Sequence, residues 1–290
     1  MHFRKIQWFV LITMIIHLAG SVFQGFFVED YFVQIYLGQL IFLVLGLWFL
    51  VRHRKKVVEY ARLQLPPWWS FLIVIPVVFS TMMLSSFVTA LSMLLTRAIG
   101  LVDMPPQDFS LTTSSNLLLV LTFSVLPGIV EEFYCRGVLL RGYEESVSTK
   151  QAIVYSSIMF GLMHFNLWNV LSPIVLGIVF SLLAIRFQSI IPSIFGHALF
   201  NLLVLGVQKM ELSEEMLAAQ TDISWSGLIE MLPTTAVAGL FLGWLFWRLG
   251  VSKLFEPAKV KLRLRDHLPT ALIGLLFVGI SYLIQKGLGL

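Results

Sequence analysis

Residues 117–140 have the sequence LLLVLTFSVLPGIVEEFYCRGVLL, which is apolar apart from a short group of ionisable side chains. An α-helix rises about 1.5 Å per residue, so roughly 20 predominantly apolar residues are needed to cross the hydrocarbon core of a bilayer. The stretch meets this length and contains Glu131, Glu132 and Arg136. It therefore predicts a transmembrane helix with ionisable groups at bilayer depth, where each such group costs about 2.5–3.5 kcal/mol on insertion scales.

Eight further segments on either side of this stretch have a comparable apolar character. They are residues 6–27, 32–51, 71–95, 151–165, 170–187, 190–207, 227–247 and 268–284. The fifth and sixth segments of the chain are short for a membrane crossing, so eight spans are the alternative to nine. We predict an all-α fold, a polytopic transmembrane helical bundle of about nine spans.

The composition supports this fold class. Hydrophobic residues make up 58% of the 290 residues and charged residues 12%, and the mean hydropathy is +0.87. Soluble domains average about 45–50% apolar and about 25% charged residues, so a soluble enzyme fold is excluded. The same apolar content excludes a disordered chain. The single cysteine, Cys135, cannot form an intramolecular disulfide.

The net charge of +4 arises from basic residues between the apolar segments, which favours a role in membrane topology over nucleic-acid binding. Lys and Arg follow the even-numbered segments and are concentrated in two loops, residues 52–65 and 248–267. Acidic residues predominate in alternate loops such as 103–108 and 211–222. By the positive-inside rule we predict a cytoplasmic N-terminus. The first segment continues at spanning length to Phe27, so we expect a retained anchor helix, not a cleaved signal peptide.

Polar side chains inside the apolar segments are the candidate functional residues. They form three clusters: Glu131, Glu132 and Arg136; His164; and His197 with Asn201. Glu132 and Arg136 are four residues apart, as are His197 and Asn201, so each pair lies on one helical face. Counting about 1.5 Å per residue from the predicted turns puts Glu132 and His164 at similar depth and His197 nearer the cytoplasmic end. Helix tilt or a shorter neighbouring helix must close that gap if the clusters are to meet.

Two kinds of chemistry use such a set of side chains. A carboxylate with apolar surroundings is a general base for water, an imidazole can share the proton, and polar donors can stabilise an oxyanion during amide hydrolysis. Alternatively, Glu131, His164 and His197 form a two-histidine, one-carboxylate set for catalytic zinc. The residues alone leave open whether the cofactor is zinc or none.

The three clusters resemble the three-motif pattern of the CPBP family, which comprises type II CAAX prenyl proteases and bacteriocin-processing Abi proteins. The motifs are Glu131-Glu132-x-x-x-Arg136, Phe160-x-x-x-His164 and His197-x-x-x-Asn201, and all match without a substitution. The resemblance covers about residues 116–205 and implies an all-helical intramembrane protease. Family members are described as metalloproteases, and a metal-free, glutamate-based mechanism has also been proposed, so the resemblance leaves the cofactor open as well.

The resemblance also implies a role for each motif residue. Glu131 and His164 would activate the attacking water molecule. His197 and Asn201 would form the oxyanion site. Glu132 and Arg136 would orient the base. The expected catalytic residues are therefore Glu131, Glu132, Arg136, His164, His197 and Asn201, with Glu131, His164 and His197 as the metal ligands if zinc is used.

The resemblance divides the chain into three parts. We expect N-terminal transmembrane helices in residues 1–115, a catalytic helical core in 116–207 and C-terminal transmembrane helices in 208–290. The expected substrate is a hydrophobic, lipidated or membrane-bound peptide, and membrane lipids are the other expected partners. No nucleic-acid partner is expected. The predicted location is a bacterial or archaeal cell membrane, in which the protein is multi-pass.

Two other functions would use the same buried polar cluster. A transporter could use it as a proton or ion relay, and would predict helices interrupted by Gly or Pro in matched halves of the chain. No matched halves are apparent in this sequence. A non-catalytic membrane scaffold or immunity protein is the other alternative, and the intact motifs favour catalysis over it.

Overall fold

A computed structural model describes residues 3–101, 115–209, 223–258 and 262–287. Within these residues the chain forms nine long helices and no β-strand. The helices are α1 (Phe3–Phe27), α2 (Tyr31–Arg52), α3 (Trp69–Ala98), α4 (Asn116–Glu144), α5 (Thr149–Leu162), α6 (Leu171–Phe187), α7 (Ile191–Lys209), α8 (Leu232–Arg248) and α9 (Leu268–Gly287). The acidic loops at 103–108 and 211–222 lie outside the described residues.

Each of these helices overlaps one of the nine apolar segments of the sequence, which confirms the all-helical prediction. The predicted segment 227–247 is wrong at its start, because a turn at Met231 separates a short helix, Trp225–Glu230, from α8. Six of them, α1 to α4, α7 and α9, are long and apolar enough to cross a membrane. α6 is apolar but shorter, and α5 and α8 have only 14 and 17 residues. The number of crossings and the cytoplasmic N-terminus therefore stay predictions.

The loops that are rich in basic residues lie together at one end of the bundle. Lys55, after α2, pairs with Glu145, after α4, at 2.5 Å. The loop after α8 joins them, because the Thr149 N–H donates to the Glu256 carbonyl at 3.0 Å. This common end is what the positive-inside rule requires of loops that share one side of a membrane.

The turn between α6 and α7 lies beneath the basic loop that follows α2, with Gln188 exposed and the next two residues covered. The Ser189 hydroxyl donates to the Gln64 carbonyl at 2.6 Å, and the Ile190 N–H donates to the Arg62 carbonyl at 2.9 Å. Ser189 and Ile190 are both fully buried. The start of α7 is therefore covered by this loop, and the contact of His197 with Glu132 at 2.9 Å shows that the depth gap predicted from the sequence is closed.

α4 departs from regular α-helical geometry on both sides of its carboxylates. It is π-helical over Leu121–Val125 and Phe133–Leu140 and α-helical over Leu126–Glu132. Pro127 has no N–H to donate to the preceding turn, and the first π-helical segment lies just before it. π-helical turns inside α-helices are frequent at functional sites, and here they flank both carboxylates of the first motif.

The end of α5 differs from the sequence prediction. The helix begins with a capping box formed by Ser148 and Gln151 and ends at Leu162, so the prediction that it extends to 165 is wrong. The chain leaves helical geometry at Phe165, whose φ of 48° is left-handed, and Asn166 begins a new turn in which its side-chain oxygen accepts from the Asn169 N–H at 3.2 Å. His164 consequently lies in a turn after the helix.

Glycine lets two pairs of helices approach closely. A Cβ atom placed on Gly177 of α6 would lie 2.7 Å from the Cα of Ser157 in α5. A Cβ on Gly128 of α4 would lie 3.1 Å from the Ala198 nitrogen and 3.2 Å from the Ile194 oxygen in α7. These contacts fix α4 against α7 and α5 against α6, around the polar residues of the three motifs.

Candidate active site

A cavity of about 840 Å³ lies between α3, α4, α6 and α7, and we call it the α3–α7 cavity. Its wall includes Glu131 of α4, His164 after α5, and His197 and Asn201 of α7. The structure thus brings four of the six sequence-predicted residues to one cavity. The other two, Glu132 and Arg136, lie behind its wall as a buried pair.

Glu132 and Arg136 form an ion pair whose side chains are 0% and 1% exposed. The Arg136 Nη1 donates to the Glu132 Oε1 at 2.6 Å, and its Nη2 donates to the Leu176 carbonyl at 3.2 Å. The guanidinium also lies 4.7 Å from the centre of the Phe160 ring and 5.6 Å from that of Phe180. The carboxylate, the carbonyl and the two ring faces together compensate a charge that is removed from water.

The imidazole of His197 lies between the two carboxylates of α4. Its Nδ1 donates to the Glu132 Oε1 at 2.9 Å, and its Nε2 is 3.9 Å from the Glu131 Oε2. Because a carboxylate oxygen can only accept, the contact with Glu132 fixes the hydrogen of Nδ1. The Glu132–Arg136 pair contacts His197. The family resemblance implied instead that this pair orients the base, Glu131.

Glu131 is held from the opposite side by α2. The Gln39 Nε2 donates to the Glu131 Oε1 at 2.8 Å, which leaves Oε2 as the oxygen that faces His197. The Glu131 side chain is 17% exposed. Sequence reasoning missed Gln39, although an amide inside an apolar segment is itself a polar group at bilayer depth and belongs to the same class of signal.

His164 presents one ring nitrogen as an acceptor. Its Nδ1 lies 2.8 Å from the Phe160 carbonyl oxygen, which only accepts, so Nδ1 carries the hydrogen and Nε2 has the free lone pair. The His164 ring meets the Phe160 ring edge to face at 4.9 Å and is exposed at the cavity. Nε2 is therefore the basic atom that His164 offers to a bound water molecule.

Asn201 lies one helical turn after His197 and is half-buried on the same cavity wall. Its amide can donate two hydrogen bonds into that cavity. The site thus combines a carboxylate, a basic imidazole nitrogen, a second imidazole and an amide, which is a set that can deprotonate water and stabilise an oxyanion.

Comparison with known proteins agrees with this geometry. Residues 113–203 match the family model described as type II CAAX prenyl endopeptidase Rce1-like. This segment is Rce1-like. The match points to a CAAX-type protease of the membrane. No curated protein and no solved structure matches the chain.

The Rce1-like segment contains all six motif residues but covers less than half of the chain. Helices outside it complete the site. α2 supplies Gln39, which holds Glu131, and α3 supplies Ser85, Ser86 and Thr89 to the wall of the α3–α7 cavity. The site of this protein is therefore assembled from the Rce1-like segment and two helices that precede it.

The zinc alternative requires three ligands of the Rce1-like segment around one point. Among the residues that the structure describes, no three His, Cys, Asp or Glu side chains are grouped so that they could hold a metal ion. Nδ1 of His164 donates to a carbonyl and Nδ1 of His197 donates to Glu132, which leaves Nε2 as the nitrogen that each ring could offer to a metal. The fit fails on grouping, because Glu131, His164 and His197 as placed do not converge on one point.

The close approach of α4 and α7 in the Rce1-like segment leads to a prediction. We expect Gly128→Val to lower the free energy of unfolding by about 1–3 kcal/mol, because its side chain collides with Ala198 and Ile194. It should also lower proteolytic activity, since the displacement of α7 by this collision would move His197 away from Glu132. Thermal unfolding in detergent and the cleavage assay measure the two effects.

Gly243→Val in α8 is the matched control for this prediction. A Cβ on Gly243 has no other atom within 4 Å, so the substitution should leave stability within about 0.5 kcal/mol of the wild type. Equal stability of the two variants would contradict a tight contact between α4 and α7.

Proposed function

We propose that the protein is an intramembrane endopeptidase that hydrolyses a peptide bond by means of a water molecule activated by Glu131 and His164. The observation that carries this proposal is the common cavity of Glu131, His164, His197 and Asn201. The Rce1-like match supports a CAAX-type endopeptidase in general, and the individual roles below are our proposal.

Glu131 is the proposed general base. Gln39 occupies its Oε1, so Oε2 is the oxygen that removes a proton from water as the oxygen of that water attacks the peptide carbonyl. The Nε2 of His164 is the second proton acceptor at the cavity. When the C–N bond breaks, the proton taken from water passes to the departing amine, and the carboxylate of Glu131 is restored.

His197 and Asn201 are the proposed oxyanion donors, with His197 acting as the imidazolium, because its Nδ1 hydrogen goes to Glu132 and only the doubly protonated ring has a second hydrogen, on Nε2, to donate. Both lie on the cavity-facing side of α7, four residues apart. Donors that are fixed in a low-dielectric site before the reaction stabilise developing charge more strongly than mobile water does. The hydrogen bond to Glu132 fixes the ring of His197, so the buried Glu132–Arg136 pair acts as the positioning device for this donor.

A hydrophobic, lipidated or membrane-bound peptide is the proposed substrate. Three of the four helices around the cavity, α3, α4 and α7, are long and apolar enough to cross a membrane. The cavity wall carries apolar side chains such as Met82, Leu176, Phe200 and Val204 beside the polar groups. A soluble polar peptide would lose its hydration on entering this cavity, which costs free energy. Burial of an apolar or membrane-anchored peptide in the same cavity is favourable.

The test is cleavage by the purified protein in lipid vesicles. A set of membrane-anchored peptides and lipid-modified peptides is incubated with the wild-type protein, and mass spectrometry identifies the new termini. We expect cleavage at one defined bond in at least one anchored peptide, and slower cleavage of the same sequence without its anchor. Absence of cleavage across the whole set would contradict the proposed function.

Removal of metal ions provides a separate prediction. Because the histidines and Glu131 do not form a zinc site, we expect exhaustive chelation to leave kcat/KM within about twofold of its starting value. The measurement compares chelated protein, chelated protein with zinc restored, and untreated protein. A loss on chelation that zinc reverses would overturn the metal-free mechanism while leaving the peptidase assignment intact.

A further inference from the structure

A groove of about 480 Å³ lies on the surface of the bundle between α1 and α2, and we call it the α1–α2 groove. Its α1 wall repeats every three or four residues from Lys5 to Ile16, so these side chains share one helical face. α2 supplies the other wall, from His53 back to Val44. The groove shares no wall residue with the α3–α7 cavity and has the volume of a ligand pocket, about 300–1,000 Å³.

Aromatic side chains form the floor and part of the walls of this groove. Phe9 and Phe49 are 7% and 1% exposed, and their ring centres are 4.5 Å apart, so they form the floor. Trp8 and Trp48 are 39% and 54% exposed and belong to the walls. The Phe9 ring also lies 5.9 Å from that of Tyr134, so the floor separates the groove from α4.

The groove is polar at one end only. Lys5 and His53 are its two ionisable wall residues, and its other wall residues are aliphatic or aromatic. Both lie at the basic end of the bundle, where the ring of Phe3 is 5.8 Å from that of Tyr143 near the end of α4. The His53 Nδ1 donates to the Phe49 carbonyl at 2.9 Å, which leaves Nε2 for a ligand.

The length of the groove matches one leaflet of a bilayer. Lys5 and Ile16 are eleven residues apart, which is about 16 Å along a helix. Half of the hydrocarbon core of a bilayer is about 15 Å. The groove therefore runs from the membrane surface at the basic end to about the middle of the bilayer, as one lipid chain does.

The charge at the polar end indicates the headgroup. Lys5 is exposed and has no ion-pair partner among the described residues. Anionic lipid headgroups attract such basic side chains at the membrane surface. A lipid-modified substrate fits this position less well, because its peptide would lie at the level of Lys5 while Glu131 lines a separate cavity.

We propose that the α1–α2 groove binds one acyl chain of an anionic phospholipid from the leaflet at the basic end, with the lipid phosphate at Lys5. This inference does not depend on the proposed peptidase function. It assigns a lipid to a site that is separate from the proposed catalytic residues.

Fluorescence of the groove tryptophans tests the proposal, because bromine on a lipid chain quenches a tryptophan that it touches. The protein is placed in phosphatidylcholine vesicles with a minor fraction of brominated lipid, which is either phosphatidylglycerol or phosphatidylcholine. The difference between the wild type and a variant with Trp8→Phe and Trp48→Phe isolates the two groove tryptophans. The measurement gives their relative contact with the two lipids at equal amounts.

We expect about fivefold more contact with phosphatidylglycerol, which is the factor for one lysine near a membrane surface. Lys5→Gln should remove this preference. Arg4→Gln is the matched control, because it removes the same charge from the neighbouring exposed residue, which does not line the groove. Equal contact with both lipids in the wild type, or equal loss of preference in the two variants, would overturn the proposal.

Native mass spectrometry of the protein with added phosphatidylglycerol tests the apolar part of the groove. We expect Ile12→Phe, which fills the groove from α1, to weaken retention of one lipid by about 10-fold or more. Val237→Phe on the exposed surface of α8 is the control and should retain the lipid. Equal retention by both variants, or displacement of the lipid by a lipid-modified peptide, would overturn the proposal.

Discussion

Replacement of Glu131 by Gln should lower kcat/KM by about 10³-fold, within the range of about 10²–10⁴ that a general base contributes. The amide has nearly the shape of the carboxylate and can keep the contact with Gln39, but it cannot accept a proton from water. The loss corresponds to about 4 kcal/mol of transition-state stabilisation. Steady-state cleavage of an anchored peptide in vesicles measures it.

Glu29→Gln is the matched control for this substitution. Glu29 is an exposed residue between α1 and α2, so the same chemical change there should leave cleavage unchanged. The Glu131→Gln protein should unfold at the wild-type temperature, because Glu131 is not a member of the buried ion pair. Turnover within tenfold of the wild type would rule out Glu131 as the base.

The second large effect concerns the buried ion pair of α4. We expect Glu132→Leu to lower the free energy of unfolding by about 3–5 kcal/mol, because Arg136 would be left buried without its carboxylate. Combining it with Arg136→Met should recover most of this loss, since a buried pair replaced by apolar side chains of similar volume is often neutral or stabilising. Unfolding in denaturing detergent provides the measurement.

Activity separates the positioning role of the pair from its contribution to stability. The double variant should stay inactive after its stability is recovered, because His197 has lost the acceptor for its Nδ1 hydrogen. Glu59→Leu is the control, since Glu59 pairs with Lys56 at 3.6 Å in an exposed position, where an ion pair contributes less than about 1 kcal/mol. An active double variant would show that Glu132 and Arg136 serve stability alone.

The helices were predictable because the physical requirement behind them is simple. An apolar segment within a bilayer must satisfy its backbone hydrogen bonds within itself, and each of the nine apolar segments is helical over most of its length. The motif residues could be found by the same logic. Charged and polar side chains inside apolar segments, such as Glu131 and His197, are costly and therefore mark functional candidates.

The sequence could not give the depth at which these residues lie. Counting residues from a turn assumes that all helices start at the same level, whereas Ser189 and Ile190, at the start of α7, lie beneath the loop that follows α2. Likewise, an apolar segment does not reveal where its helix stops, and the turn begun by Asn166 leaves His164 after the end of α5. Both positions depend on tertiary contacts that no periodicity encodes.

Partners across helices were also beyond the sequence. Gln39 and Glu131 are 92 residues apart along the chain, and the contact depends on how α2 packs against α4. Glu132 and Arg136 are recognisable as a helical pair, but the sequence does not show that their third partner is His197. Three-dimensional packing alone determines which side chain a buried charge orients.

The burial of the Ser189–Ile190 turn affects how the topology of such proteins is mapped by chemical labelling. A cysteine introduced at an exposed position of the loop that follows α2, such as Gln64, would react with a water-soluble thiol reagent, whereas one at Ser189 would be protected by the loop above it. The protection would be mistaken for a position on the other face of the membrane or within the lipid. A cysteine at Gln188, which is exposed in the same turn, would react, so this one position would show that the chain reverses direction between α6 and α7.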